Sequence, residues 1–334
     1  MKKSLSIVVP VYNDWASLFI LLSRLNDAAK TLGNQIFVIV VDDGSTDQLD
    51  DAAATSSLVG LSSLCGVELV HLCLNIGHQR AIAVGLCIAV EEHETDAILV
   101  MDGDGEDPPE SIGKLLECAS SDDDFCVVAQ RRKRTESFSF KVSYLVYKGI
   151  FRLVTGKQIN FGNFSLTSRA YARRLVMVPD LWDNFAAAVL RSRLPVRKVL
   201  IDRGRRYAGV SKMNFVSLIV HGMSGMSVYA ETIFVRLLAL TVGLFFMTIA
   251  AITLVLVLRL FYPQHATPGW ATTVSFGMLI ILAQAFFTVL SSMLMLLNAR
   301  VQRQILPIKE FRHYIALRRM LVGDRPRHES LTIS

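Results

Sequence analysis

Short apolar runs rich in β-branched residues recur through the first 130 positions: Leu5–Val11, Ile36–Val41, Val67–Leu72, Ala97–Met101 and Phe125–Ala129. Runs of this length, bounded by Gly, Pro, Asn and Asp, read as strands buried on both faces. Within residues 14–32, Leu18, Leu21, Leu22 and Leu25 fall at helical spacing, and a helix of small residues is expected from His78 to about Glu91. Continuous apolar strands separated by helical patterns predict an α/β fold built on a doubly wound, mostly parallel sheet. In such sheets ligands collect beyond the carboxyl ends of the strands.

The pattern changes in the last third. Residues 237–258 and 274–297 carry no Asp, Glu, Lys or Arg. Each stretch is long enough to cross a hydrocarbon core of about 30 Å at about 1.5 Å per residue, so two transmembrane helices are expected. Their connection, 259–273, holds Arg259 as its one fixed charge. Basic residues flank the pair: Arg203, Arg205, Arg206, Lys212 and Arg236 before it, and Arg300, Arg303, Lys309, Arg312, Arg318, Arg319, Arg325 and Arg327 after it. This asymmetry predicts an inner (cytoplasmic) membrane protein with both termini cytoplasmic and the short loop outside. Pro10 cuts the first apolar run too short for a signal peptide. The expected organisation is a catalytic domain over 1–210, interfacial amphipathic helices over 211–235, two spans within 236–298 and a basic cytoplasmic tail over 299–334. His221, inside the amphipathic stretch, reads as a packing or interfacial residue.

Composition agrees with a membrane partner. Of 334 residues 52% are apolar, and the formal net charge is +6. The mean hydropathy is +0.41 and the isoelectric point near 9.1. Basic residues clustered beside apolar spans suit an anionic lipid surface, and no nucleic-acid-binding module is present. All five cysteines lie between Cys65 and Cys126 without a Cys-x-x-Cys spacing. That usage suits free thiols in a reducing compartment, not a disulfide frame or zinc site.

Two strands end in carboxylates. One delivers Asp42-Asp43-Gly44-Ser45 and another delivers Asp102-Gly103-Asp104 into a loop closed by Gly and Pro. Two carboxylates on alternate positions suit a hard divalent cation, which takes oxygen ligands and tolerates bridging phosphates. Capping of the following turn is a standing alternative for Asp42 and Asp43.

Four segments in chain order resemble family-2 glycosyltransferases of the GT-A fold: Val9-Pro10-Val11-Tyr12-Asn13-Asp14, Val41-Asp42-Asp43-Gly44-Ser45-Thr46-Asp47, Asn75-Ile76-Gly77-His78-Gln79 and Met101-Asp102-Gly103-Asp104. Within that family, Glu106-Asp107-Pro108-Pro109-Glu110 and Arg203-x-x-Arg206-x-x-Gly209-x-Ser211-Lys212 resemble the polyprenyl-phosphate glycosyltransferases, such as the dolichyl-phosphate mannose synthase and bactoprenol glucosyl transferase types. The resemblance implies a nucleotide-sugar donor framed by Pro10, Tyr12, Asp14, Asp42, Asp43, Gln79 and Asp102. It implies Mg²⁺ or Mn²⁺ held by Asp102 and Asp104, the two residues expected to carry catalysis. It further implies a polyprenyl (undecaprenyl) phosphate acceptor met by Arg131, Lys141, Arg203, Arg206, Ser211 and Lys212. UDP-glucose is the default donor by resemblance alone, and relatives often form homo-oligomers. The run Gln130-Arg131-Arg132-Lys133-Arg134 also reads as a basic, membrane-facing surface.

One segment departs from the pattern. Where the family carries Asp residues, one of them proposed as the base, this chain has Asn160-Phe161-Gly162-Asn163-Phe164-Ser165-Leu166. Amides at Asn160 and Asn163 take no proton. General-base help is worth about 10²- to 10⁴-fold to a hydroxyl acceptor, whereas a phosphomonoester with a second pKa of about 6 arrives already charged. Asp183 is a substitute base candidate. A catalytically impaired scaffold that binds lipid or nucleotide sugar is the alternative these amides favour, as is a different lipid acceptor. A processive polysaccharide synthase is disfavoured, because no Arg-Trp pair occurs in the chain.

Overall fold

A computed structural model describes residues 4–50, 54, 57–119, 124–131, 149, 152–153, 155–156, 161–208, 228–261, 269–301 and 304–324. In chain order the main elements are β1 (Ser4–Val11), α1 (Trp15–Leu32), β2 (Gln35–Asp42), β3 (Leu64–Leu72), α2 (His78–Glu92), β4 (Ala97–Val100) and α3 (Ile112–Ala119). Then follow β5 (Cys126–Arg131), β6 (Ser165–Ser168), α4 (Arg169–Leu175), α5 (Phe185–Arg191), β7 (Arg197–Ile201), α6 (Ala230–Phe261), α7 (Trp270–Val301), α8 (Pro307–Glu310) and β8 (Ile315–Val322). The interfacial segment expected from 211, including His221, lies outside the described residues up to 227.

The strands form one sheet in the order β7-β5-β6-β4-β1-β2-β3-β8. β1, β2, β3 and β4 pair in parallel, as do β5 and β7, whereas β6 and β8 run antiparallel to their neighbours. The doubly wound, mostly parallel expectation therefore holds. Alternate residues of the central strands serve two apolar layers. Leu5, Ile7 and Val9 join Leu18, Leu21 and Leu25 of α1, while Val8, Ile39 and Val41 join Ile82, Leu86 and Val90 of α2. Pro10 sits in a central strand without disrupting it, because the β1–β4 ladder ends at Val8↔Val100 and no amide hydrogen is required of residue 10 beyond that point.

The chain clusters into two units. One comprises residues 1–138, 159–228 and 305–334; the other comprises 139–158 and 229–304. In the second unit α6 and α7, each 32 residues long, carry outward-facing Phe246, Leu260 and Met295. Both are apolar and long enough to cross a membrane. At about 1.5 Å per residue each runs near 48 Å, longer than a hydrocarbon core. The charge-free stretches 237–258 and 274–297 lie inside them.

The first unit holds a strand that the sequence pattern does not announce. β8, from the stretch read as a basic tail, pairs antiparallel with β3 from Val67↔Val322 to Leu72↔Ile315. Arg318 clamps fully buried Glu68 through two contacts, Nε–Oε1 and Nη2–Oε2, both 2.9 Å, and reaches Glu92 Oε2 at 2.7 Å. Just before it, Phe311 is fully buried and Tyr314 packs edge-on against Trp182, with ring centroids 5.4 Å apart.

The cysteines separate by environment. Burial raises the Cys87 thiol well above its ordinary value and pushes Cys126 up to about 12, whereas Cys65 and Cys73 are exposed. Because the thiolate is the reactive form, iodoacetamide at pH 8 should label Cys65 and Cys73 in the folded protein and spare Cys87 and Cys126. Mass spectrometry of tryptic peptides checks this, and rapid labelling of Cys126 would contradict the packing.

Candidate active site

The carboxyl ends of β1, β2 and β4 carry the acidic motifs. β4 runs through buried Met101 into Asp102. The Asp102 N–H donates to Oδ2 of buried Asp107 (3.0 Å), and the Glu106 N–H donates to Asp104 Oδ1 (2.9 Å). The loop is therefore stapled by its own carboxylates. Burial raises the Asp104 carboxyl above its ordinary value; the Glu106 amide and Arg206 oppose this, while Asp102 and Glu106 add to it. A carboxylate held reluctantly charged gains from a nearby cation.

Two neighbouring loops brace this one. Asn13, in the left-handed region at φ 48°, accepts at Oδ1 from the N–H groups of Thr46 (2.9 Å) and Asp47 (3.1 Å), and its own N–H donates to Ser45 Oγ (2.8 Å). Asn tolerates that backbone region better than most side chains. Asp42 and Asp43 are both buried and both engaged. Asp42 accepts from the Ser45 N–H (3.0 Å) and contacts His71 Nδ1 (2.8 Å). Asp43 accepts from the Ile76 (2.8 Å) and Gly77 (3.0 and 3.2 Å) N–H groups at the start of α2. Asp42 thus caps its own turn, and Asp43 satisfies amides that open the next helix. Tyr12 is exposed, 41% accessible, and Asp14 stands at the N-cap position just before α1.

A basic strap crosses the Asp102–Asp104 loop. Arg203 pairs with Glu106, and Arg206 Nη2 lies 3.3 Å from Asp104 Oδ2 and 4.0 Å from Asp14 Oδ2. The Tyr207 N–H donates to the Asp104 carbonyl, and the Gly204 N–H to the Glu106 carbonyl, both at 2.9 Å. Arg24 stacks over the Tyr207 ring at 4.8 Å. A Cβ on Gly204 would fall on the Gly105 carbonyl oxygen. Gly204→Ala should therefore lift the strap and lower any activity of this site roughly 100-fold, the scale of a 1 Å misplacement, which a rate assay on the full chain checks.

On the other flank, His78 Nε2 sits 3.1 Å from Asp102 Oδ1 and 3.1 Å from Asn163 Nδ2. A protonated Nε2 serves the carboxylate, and an unprotonated one accepts from the amide. Burial lowers the His78 pKa, but Asp102, Asp43 and Asp104 outweigh it and carry the imidazole above its ordinary value. Gln79 is buried; its Nε2 donates to Asn163 Oδ1 (3.2 Å) and its Oε1 accepts from the Phe185 N–H (2.7 Å). Asp183 precedes Asn184, which caps α5 by accepting from the Ala187 N–H (2.9 Å). Partial burial holds the Asp183 carboxyl above its ordinary value against the pull of Arg80.

The strap, the acidic loop and the His78–Asn163 pair thus gather Asp102, Asp104, Asp14, Gln79, Arg203, Arg206 and Asn163. Lys141, Asn160, Ser211 and Lys212 lie outside the described residues, as does the side chain of Arg131, which ends β5. Sequence reasoning assigned no role to Asn13, His78, Asp107 or Tyr207. Each lies within or beside a quoted motif, which was the available signal. Among the described residues no cluster of three or more His, Cys, Asp or Glu side chains forms a metal cage. Asp102 and Asp104 fit Mg²⁺ or Mn²⁺ as a partial set of hard oxygen donors, the remainder coming from phosphate and water.

A doubly wound sheet with an acidic loop at its switch point defines the GT-A class. Consistent with this, the chain is similar in fold to glucosyl-3-phosphoglycerate synthase from Mycobacterium tuberculosis, crystallised with Mn²⁺, UDP-glucose and phosphoglyceric acid: TM-score 0.50, 14% identity, covering 69% of this chain and 80% of that one. The profile of glycosyl transferase family 2 matches residues 6–179, more than half of the chain, and the chain belongs to that family. It is similar to undecaprenyl-phosphate 4-deoxy-4-formamido-L-arabinose transferases from Aeromonas hydrophila (29% identity, 65% of each chain) and Klebsiella pneumoniae (32% identity, 65% of this chain and 64% of the relative). The match spans just under two thirds of those relatives' length.

Proposed function

We propose that this protein transfers a sugar, with inversion, from a nucleotide sugar to undecaprenyl phosphate at the cytoplasmic face of the inner membrane. The carrying observation is the Asp102–Asp104 loop at the end of β4, with Arg206 over Asp104. A bound Mg²⁺ or Mn²⁺ would supply Lewis-acid neutralisation of the departing diphosphate. Asp102 and Asp104 are the residues that would hold it, and Arg203 and Arg206, paired to the same loop, would supply fixed positive charge for the phosphate of the acceptor. Arg suits this role through its planar, bidentate geometry.

The acceptor follows from the amide at Asn163. With no carboxylate at that position to remove a proton, a dianionic lipid phosphate is the better nucleophile. The similarity to undecaprenyl-phosphate transferases supports the same acceptor. Membrane topology is supported by the sheet: β3 precedes both apolar helices and β8 follows them, yet the two strands pair. A chain that enters the bilayer between them must cross it an even number of times.

The test uses membranes carrying the full chain, undecaprenyl phosphate and a panel of radiolabelled donors that includes UDP-glucose and a UDP-linked formamido-pentose. Label should enter a butanol-soluble lipid with one donor and only with Mg²⁺ or Mn²⁺. No glycolipid with any donor would refute the proposal.

A further inference from the structure

The contacts around Gln79 have a polarity that runs in one direction. A backbone N–H only donates, so the Phe185 amide at 2.7 Å fixes the Gln79 atom it meets as the oxygen. Gln79 then presents its NH₂ to Asn163, whose oxygen must be the atom at 3.2 Å. The Asn163 NH₂ is in turn directed to the His78 and Asp102 side of the site, 3.1 Å from His78 Nε2. An amide nitrogen carries two hydrogens; His78 Nε2 takes at most one of them, when unprotonated, so at least one is left for a ligand. Turning Gln79 over would set donor against donor at the buried Phe185 N–H, and turning Asn163 over would set its NH₂ against that of Gln79; either clash costs a full hydrogen bond.

We propose that Gln79 is a positioning residue that locks Asn163 as a hydrogen-bond donor, and that this donor receives the anionic oxygen of the acceptor phosphate. The inference rests on the transferase reading for the identity of that anion. It also gives the missing carboxylate a purpose. An Asp at 163 would place a negative charge where a dianion must approach, whereas a donor there attracts it. Gln79 is itself nearly covered, at 9% accessible, so it acts through Asn163 and not on the ligand.

The test measures equilibrium binding of undecaprenyl phosphate and, separately, of UDP by the detergent-solubilised full chain. Asn163→Asp keeps the size and the bond from Gln79 but replaces NH₂ by an oxygen. It should weaken lipid-phosphate binding roughly 10- to 100-fold, the worth of a hydrogen bond to a charged group, and leave UDP binding unchanged. Gln79→Glu still accepts from Phe185 but no longer donates to Asn163; it should give a smaller loss with the same split. In an Asn163→Ala background Gln79→Glu should add nothing, because its effect passes through the amide. Independent, additive losses would overturn the relay, and so would a loss of UDP affinity in place of lipid affinity. Thermal unfolding of each variant separates a folding defect from the binding effect. Binding that follows this pattern with no glycolipid formed would refute transfer and leave the relay standing. Glycolipid formed with unchanged lipid-phosphate affinity in both variants would refute the relay alone.

Discussion

Asp104→Asn should reduce glycolipid formation by at least about 10²-fold, since it removes half of the anionic donor set from a site whose chemistry is charge stabilisation. The substitution is close to isosteric, and the amide oxygen can still accept from the Glu106 N–H, now 2.9 Å from Oδ1. The loop fold therefore survives while the charge is lost. Burial already holds the Asp104 carboxyl above its ordinary value, so neutralising it does not destabilise the folded chain. Thermal unfolding and membrane insertion should match those of the unaltered protein. An unchanged rate would remove Asp104 from the reaction.

Arg318→Ala should produce the largest loss of stability. It removes the bidentate counter-ion of the fully buried Glu68 carboxylate, which Arg318 meets through two 2.9 Å contacts. Breaking a buried pair from one side costs about 3–5 kcal/mol, because the remaining buried charge loses its counter-ion. For a unit of this size that corresponds to a fall of roughly 6–20 °C in the unfolding temperature. Replacing both partners by Met should recover most of it, since well-packed apolar side chains substitute for buried pairs at little cost. Transfer should fall along with stability. Tyr314, four residues before Arg318, packs on Trp182, and Trp182 lies three residues before the Phe185 amide that fixes Gln79. An unfolding temperature equal to that of the parent chain would mean that β8 is not held by this clamp.

The parts of the fold legible in the sequence are those whose burial is continuous. β1 to β5 appear as apolar runs because both their faces are covered. β6, Ser165-Leu166-Thr167-Ser168, is fully buried but short and made of small polar residues, so periodicity does not reveal it. β8 is interrupted by Arg318 and Arg319. Arg318 reads as one more charge in a basic stretch until Glu68, 250 residues away in sequence, is seen opposite it.

The candidate site divides along the same line. Strand-end carboxylates are visible because their spacing is local. What each carboxylate does is not, because deciding partners come from other elements: Asp42 meets His71, Asp43 meets Ile76 and Gly77, and Asp104 meets Arg206. The Asn163 substitution shows in the sequence only as a lost base. Its polarity depends on Gln79 and Phe185, which only the folded chain brings together.

The most direct measurement compares two acceptors that differ by one phosphate. Purified full-length protein, Mg²⁺ and the donor found in the panel are incubated with undecaprenyl phosphate or with undecaprenol. The alcohol needs a base to remove its proton and the phosphate does not. Transfer to the phosphate with none to the alcohol, abolished by EDTA and restored by Mg²⁺, is the result expected. Equal transfer to undecaprenol, or transfer that persists in EDTA, would contradict a metal-assisted reaction with an acceptor that arrives already charged.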